Sequence, residues 1–362
     1  MNRKPRVAVL FGGRSPEHWI SVKSGLFALL FLDRTRYEVD AVYIQQDGRF
    51  ASGAEYLAMV DRFFAENRVV LFGDSDGIGD PQALFRSAAS DLASRWLSLG
   101  ARGHWDLLFP VFHGRHGEDG TVQGLADVLG IPYAGCSFQA SVLGMDKILT
   151  KTMAAARGLA VAPFREVHHR DWASCRPGLE SSLVADLGLP LFVKPARLGS
   201  SIGVGRATDA RTLGHRIDEA LEYDHRILVE TEVRGPECAV GVLGGPDRFE
   251  VSVAAEYTSQ PENFDYDSKY GPDSLPDIIP ASLGRDETAR LLAFSRDVAR
   301  ALKLTGWARI DTFWSPQGPV LNEINTMPGL NPGSPFIRAW EVAGVSKREL
   351  LVRAVDLGLG KP

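Results

Sequence analysis

Residues 321–334 read LNEINTMPGLNPGS, and residues 308–314 just upstream read ARIDTFW. Ser315-Pro316-Gln317-Gly318 between them is a turn signal, so the two strand-like runs should form a hairpin. Side chains alternate faces along a strand. Arg309 and Asp311 therefore share one face, and Glu323 and Asn325 share one face of the partner. With those faces aligned, three oxygen-bearing side chains and a guanidinium converge. Carboxylate and amide oxygens suit Mg²⁺, which is usually held by few protein ligands together with nucleotide phosphates. The chain then enters the Pro328-Gly329 and Pro332-Gly333 turns, where exposed backbone N–H groups can face an anion. A surface hairpin with a polar, solvent-facing side is the competing reading of this stretch taken alone.

The totals bound what surrounds it. At 362 residues the chain exceeds one simple core, so two or three domains are expected. A content of 44% hydrophobic and 23% charged residues is ordinary for a soluble globular protein. A net charge of −5, with no run of lysines and arginines, argues against a nucleic-acid or membrane-surface partner. Cys136, Cys175 and Cys238 form no CxxC and no paired framework, which suits a reducing compartment. The apolar run 7–11 stops at Gly12-Gly13, too short for a signal peptide, and no later run could span a bilayer. A cytoplasmic protein is expected.

Residues 6–11 read as a buried strand, followed by Gly12-Gly13-Arg14-Ser15-Pro16-Glu17 leading into a helix with Ser15 as N-cap. Residues 37–44 form a second strand, so the opening is βαβ and points to a parallel sheet. FGGRSPE is not G-x-G-x-x-G, which removes a dinucleotide cofactor. Glu17 either complements the helix dipole or meets a ligand. Residues 45–103 suggest no chemistry; 74–81 reads as a loop, and Leu92, Trp96 and Leu99 mark an amphipathic helix. Residues 105–112 form another strand ending in HGRHGEDG, where His113 is a substrate-site candidate and His116 faces solvent.

Residues 143–156 read as one helix with Lys147 in its first turns, a cation opposed to the helix dipole unless something anionic sits close. Residues 191–195 end a strand at Lys194, followed by the Gly/Ser-rich stretch 199–205, a plausible phosphate cradle or else a hairpin tip. Residues 226–233 are an apolar strand interrupted by Glu230, which needs a hydrogen-bonding partner. Residues 258–282 lack periodicity and carry FDYDSKY at their centre, as a lid loop would. Residues 285–302 and 336–358 supply closing helices.

In this order, two lysines, a Gly/Ser loop, strand carboxylates and the hairpin resemble the ATP-grasp ligases. More narrowly, FGGRSPEH, FHGRHGEDGTVQG, GMDK, FVKPARLGSSIGV, GPE, FDYDSKY, ARIDTF and NEINTMPG are similar to the motifs of the D-alanine–D-alanine ligase family. The resemblance runs from about residue 6 to 357 and is thin over 45–103 and 166–186. It implies an α/β, three-domain ATP-grasp fold: an N-terminal Rossmann-like parallel-sheet domain (1–135), a central domain (136–230) and a C-terminal domain (231–362). It implies ATP and D-alanine as substrates, two Mg²⁺ ions for which Mn²⁺ can substitute, and a homodimer. Lys147, Lys194 and Ser201 would then meet phosphates, and Glu230, Val233 and Glu237 the adenosine. Asp311, Glu323 and Asn325 would hold the metal. Glu17 would pair the first ammonium, with Arg309 and the Gly329 N–H at the oxyanion. Lys269, Ser334 and Pro335 would line the acceptor site, with His113 also at the substrate. Glu17, Ser200 and Tyr270 match a hydrogen-bonded set that closes the lid.

Two positions depart from the family pattern. Pro335 follows Ser334 where an aliphatic residue is usual, and Trp19 stands two positions after Glu17 where Glu is common. Proline fixes φ and removes a donor, which bears on the acceptor pocket. D-serine as acceptor is one alternative; a non-catalytic nucleotide-binding protein on the same fold is the other. Lys269-Tyr270 argues against an ester-forming relative, and every expected metal and lysine position is filled.

Overall fold

Strand β1 (Arg6–Gly12) is apolar on both faces and buried almost throughout, as befits the interior of a parallel sheet covered on both sides. The computed structural model to which it belongs describes residues 3–52, 57–58, 60–62, 105–245, 247–258 and 276–361. The expected loop 74–81, the helix around Trp96, and the lid residues Lys269 and Tyr270 lie outside these. From β1 the chain passes through helix α1 (His18–Phe31) to β2 (Glu38–Ile44), which pairs parallel to β1. The short β3 (Phe50–Ser52) pairs antiparallel with β2, and β4 (Leu107–Pro110) lies parallel on the far side of β1. The sheet order is β3-β2-β1-β4. The expected βαβ opening is therefore present. The helix starts later than expected: Ser15 Oγ accepts the Glu17 N–H at 2.9 Å within a turn, and α1 proper begins at His18.

Three helices follow: α2 (Thr121–Leu129), α3 (Phe138–Met145) and α4 (Lys147–Ala156). The single helix expected over 143–156 is thus two. Asp146 breaks it, adopting extended dihedrals and accepting the Ile148 and Leu149 N–H groups as N-cap of α4. The second sheet, order β5-β8-β6-β7, contains β5 (Phe164–His168), β6 (Leu191–Pro195), β7 (Gly205–Ala207) and β8 (Arg226–Thr231). Helices α5 (His169–Leu187) and α6 (Ala210–Tyr223) pack on it. Helix α5 has Pro177 inside it, and the backbone leaves helical geometry at Cys175.

The third sheet is antiparallel, order β10-β9-β11-β12: β9 (Glu237–Gly245), β10 (Arg248–Glu256), β11 (Gly306–Ser315) and β12 (Gly318–Asn325). Helix α7 (Arg285–Ala301) covers one face, and Ala140 and Ala154 from α3 and α4 share its core. Helices α8 (Pro335–Val342) and α9 (Lys347–Gly358) close back on the first sheet, Ile337 and Leu351 sharing a core with Val7 and Phe109. Trp307 joins the two regions, edge-on to Phe109 at 5.1 Å and to Phe336 at 6.1 Å. Each such ring pair contributes about 0.5–1.5 kcal/mol beyond its buried area. Among the described residues no helix is long and apolar enough to cross a membrane.

Candidate active site

The β11–β12 hairpin pairs Arg309 with Asn325 and Asp311 with Glu323, the alignment its alternation predicts. Thr312 then pairs with Leu321, leaving Asn322 as an extra residue in a β-bulge. The bulge lets the consecutive residues Asn322 and Glu323 both line one cleft, which regular pleating forbids. Asp311 is 2% exposed and takes a bidentate pair from Arg309, Nε and Nη2 each donating at 2.7 Å. Asn325 satisfies its surroundings when its amide nitrogen donates to Glu118 Oε1 (3.1 Å) and Met327 O (3.2 Å), which turns the amide oxygen to the opposite side.

The cleft, about 530 Å³, lies where the second and third sheets meet; Phe192, Val204, Val233 and Phe313 give it apolar walls. Its polar floor is a chain of charges. Lys147 reaches across from α4, donating to Leu198 O (2.7 Å) and sitting 3.0 Å from Glu323 Oε2. Lys194, at the end of β6, donates to Asn322 Oδ1 (2.9 Å) and pairs with Glu230 Oε1 at 2.7 Å. Asn322 Nδ2 in turn donates to Glu237 Oε1 at 2.8 Å. Lys151, one turn beyond Lys147, lies 2.8 Å from the other Glu230 oxygen. Burial works to raise the Glu230 carboxyl, but the two ammonium groups outweigh it and hold it down at about 2. Burial opposes the charge of both lysines. It prevails at Lys151, whose pKa is lowered, whereas at Lys194 Glu230 overcomes it and the shift is upward.

Loops of the first sheet face the same hairpin. Ser200 Oγ donates to Glu17 Oε1 at 2.5 Å, joining the Gly/Ser loop of the second sheet to the first turn after β1. Burial raises the Glu17 carboxyl above its ordinary range, against the pull of Ser200 and Lys147. Ser200 and Ser201 have φ of +52° and +57°, a left-handed pair that non-glycine residues adopt at some cost. Gly114 has φ +70°, which side chains rarely adopt, and a Cβ there would lie 2.3 Å from Glu17 Oε2 and displace that carboxylate. His113 is buried, its Nε2 3.0 Å from Ser24 Oγ, which also accepts the Leu330 N–H at 3.1 Å. Burial, with Arg309 nearby, pushes the imidazole down to about 4. Gly329 lies beside it, a Cβ there falling 3.8 Å from His113 Cε1. Burial, with Glu17 adding, raises the Glu118 carboxyl to about 8. Ser334 is 5% exposed at the N-cap of α8 and makes no side-chain capping bond; Pro335 takes the first position of that helix, where no intrahelical donor is needed.

Ser200 is thus joined to Glu17 and Lys147 to Glu323, while Lys194 meets Glu230 directly and Glu237 through Asn322. Ser201 and Val233 line the same cleft. His116 is exposed, as expected. Three functional candidates were not legible. Lys151 looks like a routine helix lysine, and only its spacing of four from Lys147 hints at a shared face. Asn322 falls on the wrong face of an unbulged strand. Glu118 gave no local signal beyond lying in a Gly-rich loop. Among the described residues no three His, Cys, Asp or Glu side chains gather as a metal cluster; the donors here are two carboxylates and an amide.

Compared with known families, residues 6–136 match the N-terminus, and residues 153–356 the C-terminus, of D-ala D-ala ligase. The chain is 39% identical over 374 positions to a D-alanine–D-alanine ligase of Streptomyces coelicolor, covering 99% of this chain and 94% of that protein. It is 34% identical over 357 positions to one of Geobacillus kaustophilus, covering 98% and 95%. Among solved structures it superposes on the D-alanine-D-alanine ligase from Coxiella burnetii with TM-score 0.80, at 28% identity over 99% of this chain and 96% of that one. The VanG D-Ala:D-Ser ligase from Enterococcus faecalis gives TM-score 0.78 at 26% identity, covering 98% and 100%.

Proposed function

We infer the function from the premise that this chain belongs to the D-alanine–D-alanine ligase family. It is an ATP-dependent ligase that joins two D-alanine molecules into D-alanyl-D-alanine, releasing ADP and phosphate, for peptidoglycan synthesis. The observation that carries this at the site is the cleft in which Lys147, Lys194, Glu230, Glu237 and Glu323 gather around about 530 Å³ of apolar-walled space. One sheet to each of 1–135, 136–230 and 231–362 supports the three-domain division, although β8 runs on to Thr231 and α3 and α4 pack with the third. The three free cysteines suit a cytoplasmic protein. The homodimer is a further part of this reading, to be tested by sedimentation.

The donor set fits a hard cation: two carboxylates and an amide, each carboxylate already faced by a positive group, Arg309 on Asp311 and Lys147 on Glu323. Asp311, Glu323 and Asn325 would hold Mg²⁺, two ions in this reading, with Mn²⁺ able to substitute. When bound, the metal neutralises charge on the phosphates during transfer. The side chains of the protein do the rest. Lys147 and Lys194 take phosphate oxygens, with Ser201 beside them. Glu230, Val233 and Glu237 hold the adenosine.

Glu17, oriented by Ser200, pairs with the ammonium of the first D-alanine, near His113. A carboxylate oxygen of that D-alanine attacks the γ-phosphorus of ATP and ADP leaves, giving an acyl phosphate. The amine of the second D-alanine then attacks the acyl carbon. Arg309 and the Gly329 N–H steady the oxyanion, and phosphate leaves as the amide forms. Lys269, Ser334 and Pro335 bind the acceptor carboxylate side. Tyr270 completes the set with Ser200 and Glu17 that shuts water out, since an acyl phosphate hydrolyses in an open site.

Phosphate release from Mg·ATP with a panel of D- and L-amino acids, D-serine included, tests this directly. Turnover with D-alanine and a product of dipeptide mass are expected. Equal rates with L-alanine, or none with D-alanine, would overturn the assignment.

A further inference from the structure

Three buried side chains at the cleft floor carry a surplus of charge. Lys151 and Lys194 share the Glu230 carboxylate, one ammonium on each oxygen at 2.8 and 2.7 Å. A buried carboxylate needs one counter-charge to remain ionised. Here it has two, and they are held differently. Lys151 is 1% exposed and also donates to the Leu321 carbonyl at 3.1 Å, so it is anchored on its strand side. Lys194 is 7% exposed; its second partner is the Asn322 amide, which Glu237 also engages from its other end.

We propose that Lys151 is a positioning residue for the nucleotide: it remains on Glu230 as permanent counter-charge, so that the Lys194 ammonium can leave Glu230 for a phosphate oxygen. Without Lys151, drawing Lys194 toward a phosphate would strand a buried carboxylate, and the anion would have to compete with Glu230 for a single cation. With it, Glu230 keeps a counter-charge of its own, and Lys194 moves without leaving Glu230 unpaired. The opposite pKa shifts of the two lysines accord with this division. The inference rests on reading the cleft as an ATP site.

Calorimetric titration of Mg·ATP into four proteins tests it: wild type, Lys151→Met, Glu230→Gln, and the double variant. Lys151→Met in the wild-type background should weaken binding tenfold or more. In the Glu230→Gln background, where there is no carboxylate to balance, the same change should alter affinity less than twofold. A merely structural Lys151 would weaken binding alike in both backgrounds, and that result overturns the proposal, as does unchanged affinity of Lys151→Met. Should the methionine variant not fold, Lys151→Gln, which keeps a donor without the charge, takes its place in the same comparison. Failure of the wild type itself to bind Mg·ATP would remove the nucleotide site, and the proposal with it, before any variant is made.

Discussion

His113 shows how burial, with Arg309 nearby, turns one side chain into a pH-dependent element. Its imidazole titrates near 6.5 when exposed and at about 4 in the fold. Between those values the unfolded chain takes up a proton that the folded chain refuses. Its contribution to stability is therefore complete above 6.5 and is lost as pH falls through about 4, by up to about 3 kcal/mol. Glu118, raised to about 8, acts in the opposite sense, favouring the fold as pH falls. The difference between wild type and His113→Asn isolates the imidazole. Urea midpoints at pH 7 and pH 5 should show the wild type losing roughly 2 kcal/mol more than the variant between the two. Equal losses would mean that the ring is not shielded as described. At this scale the sequence was most informative where a side chain is chemically out of place: a lysine at a helix start, a carboxylate in an apolar strand. It was silent where the out-of-place residue looks ordinary, as Lys151 does.

Among the elements, the α3–α4 break does the most for the cleft. Asp146 caps α4 with one oxygen, and its other oxygen accepts from Arg226 Nη1 at 2.8 Å, tying α4 to the start of β8. The residue that follows is Lys147. Asp146→Ala should therefore cost about 1–2 kcal/mol through the lost cap alone, and should raise the KM for ATP by letting Lys147 drift. Asp146→Asn keeps a capping oxygen and gives up the charge, so its loss in urea midpoint should be the smaller. An alanine variant with wild-type midpoint and KM would show that the cap holds nothing in place. Many strands and helices could be read from periodicity and turn residues, but β3, β5, β7, β10, α2, α5 and α6 went unread, and so did this break. Aspartate inside a helical pattern is common, and only the partner Arg226, 80 positions on, reveals what it holds.

Across the whole molecule, the cleft draws on distant stretches: α4, the ends of β6 and β8, and the β12 bulge. A ligand seated there touches two sheets at once, and anything that binds only the folded state stabilises it by mass action. Mg·ATP at a hundred times its Kd should add about 2.7 kcal/mol, read as a rise in Tm. Lys147→Ala and Lys194→Ala should each diminish that rise while leaving the unliganded Tm within a few degrees. A full rise in both variants would contradict the contact proposed for them with the triphosphate. The three-sheet arrangement could be anticipated only through the family resemblance. Local pattern yields the first βαβ, but the pairing of β9 with β11 spans the whole of α7 and depends on burial that no short window contains.

The kink at Asn322 bears on how the ribbon finds its place. Leu321 and Ile324 are walls of the apolar interior beneath α7, while Glu323 looks outward to Lys147. Sliding β12 by one step would drive acid and amide groups into that oily wall and turn Ile324 toward the lysines. Misthreading is thus rejected by the polar groups that line the cleft, and the hairpin acts as its own proofreader during assembly.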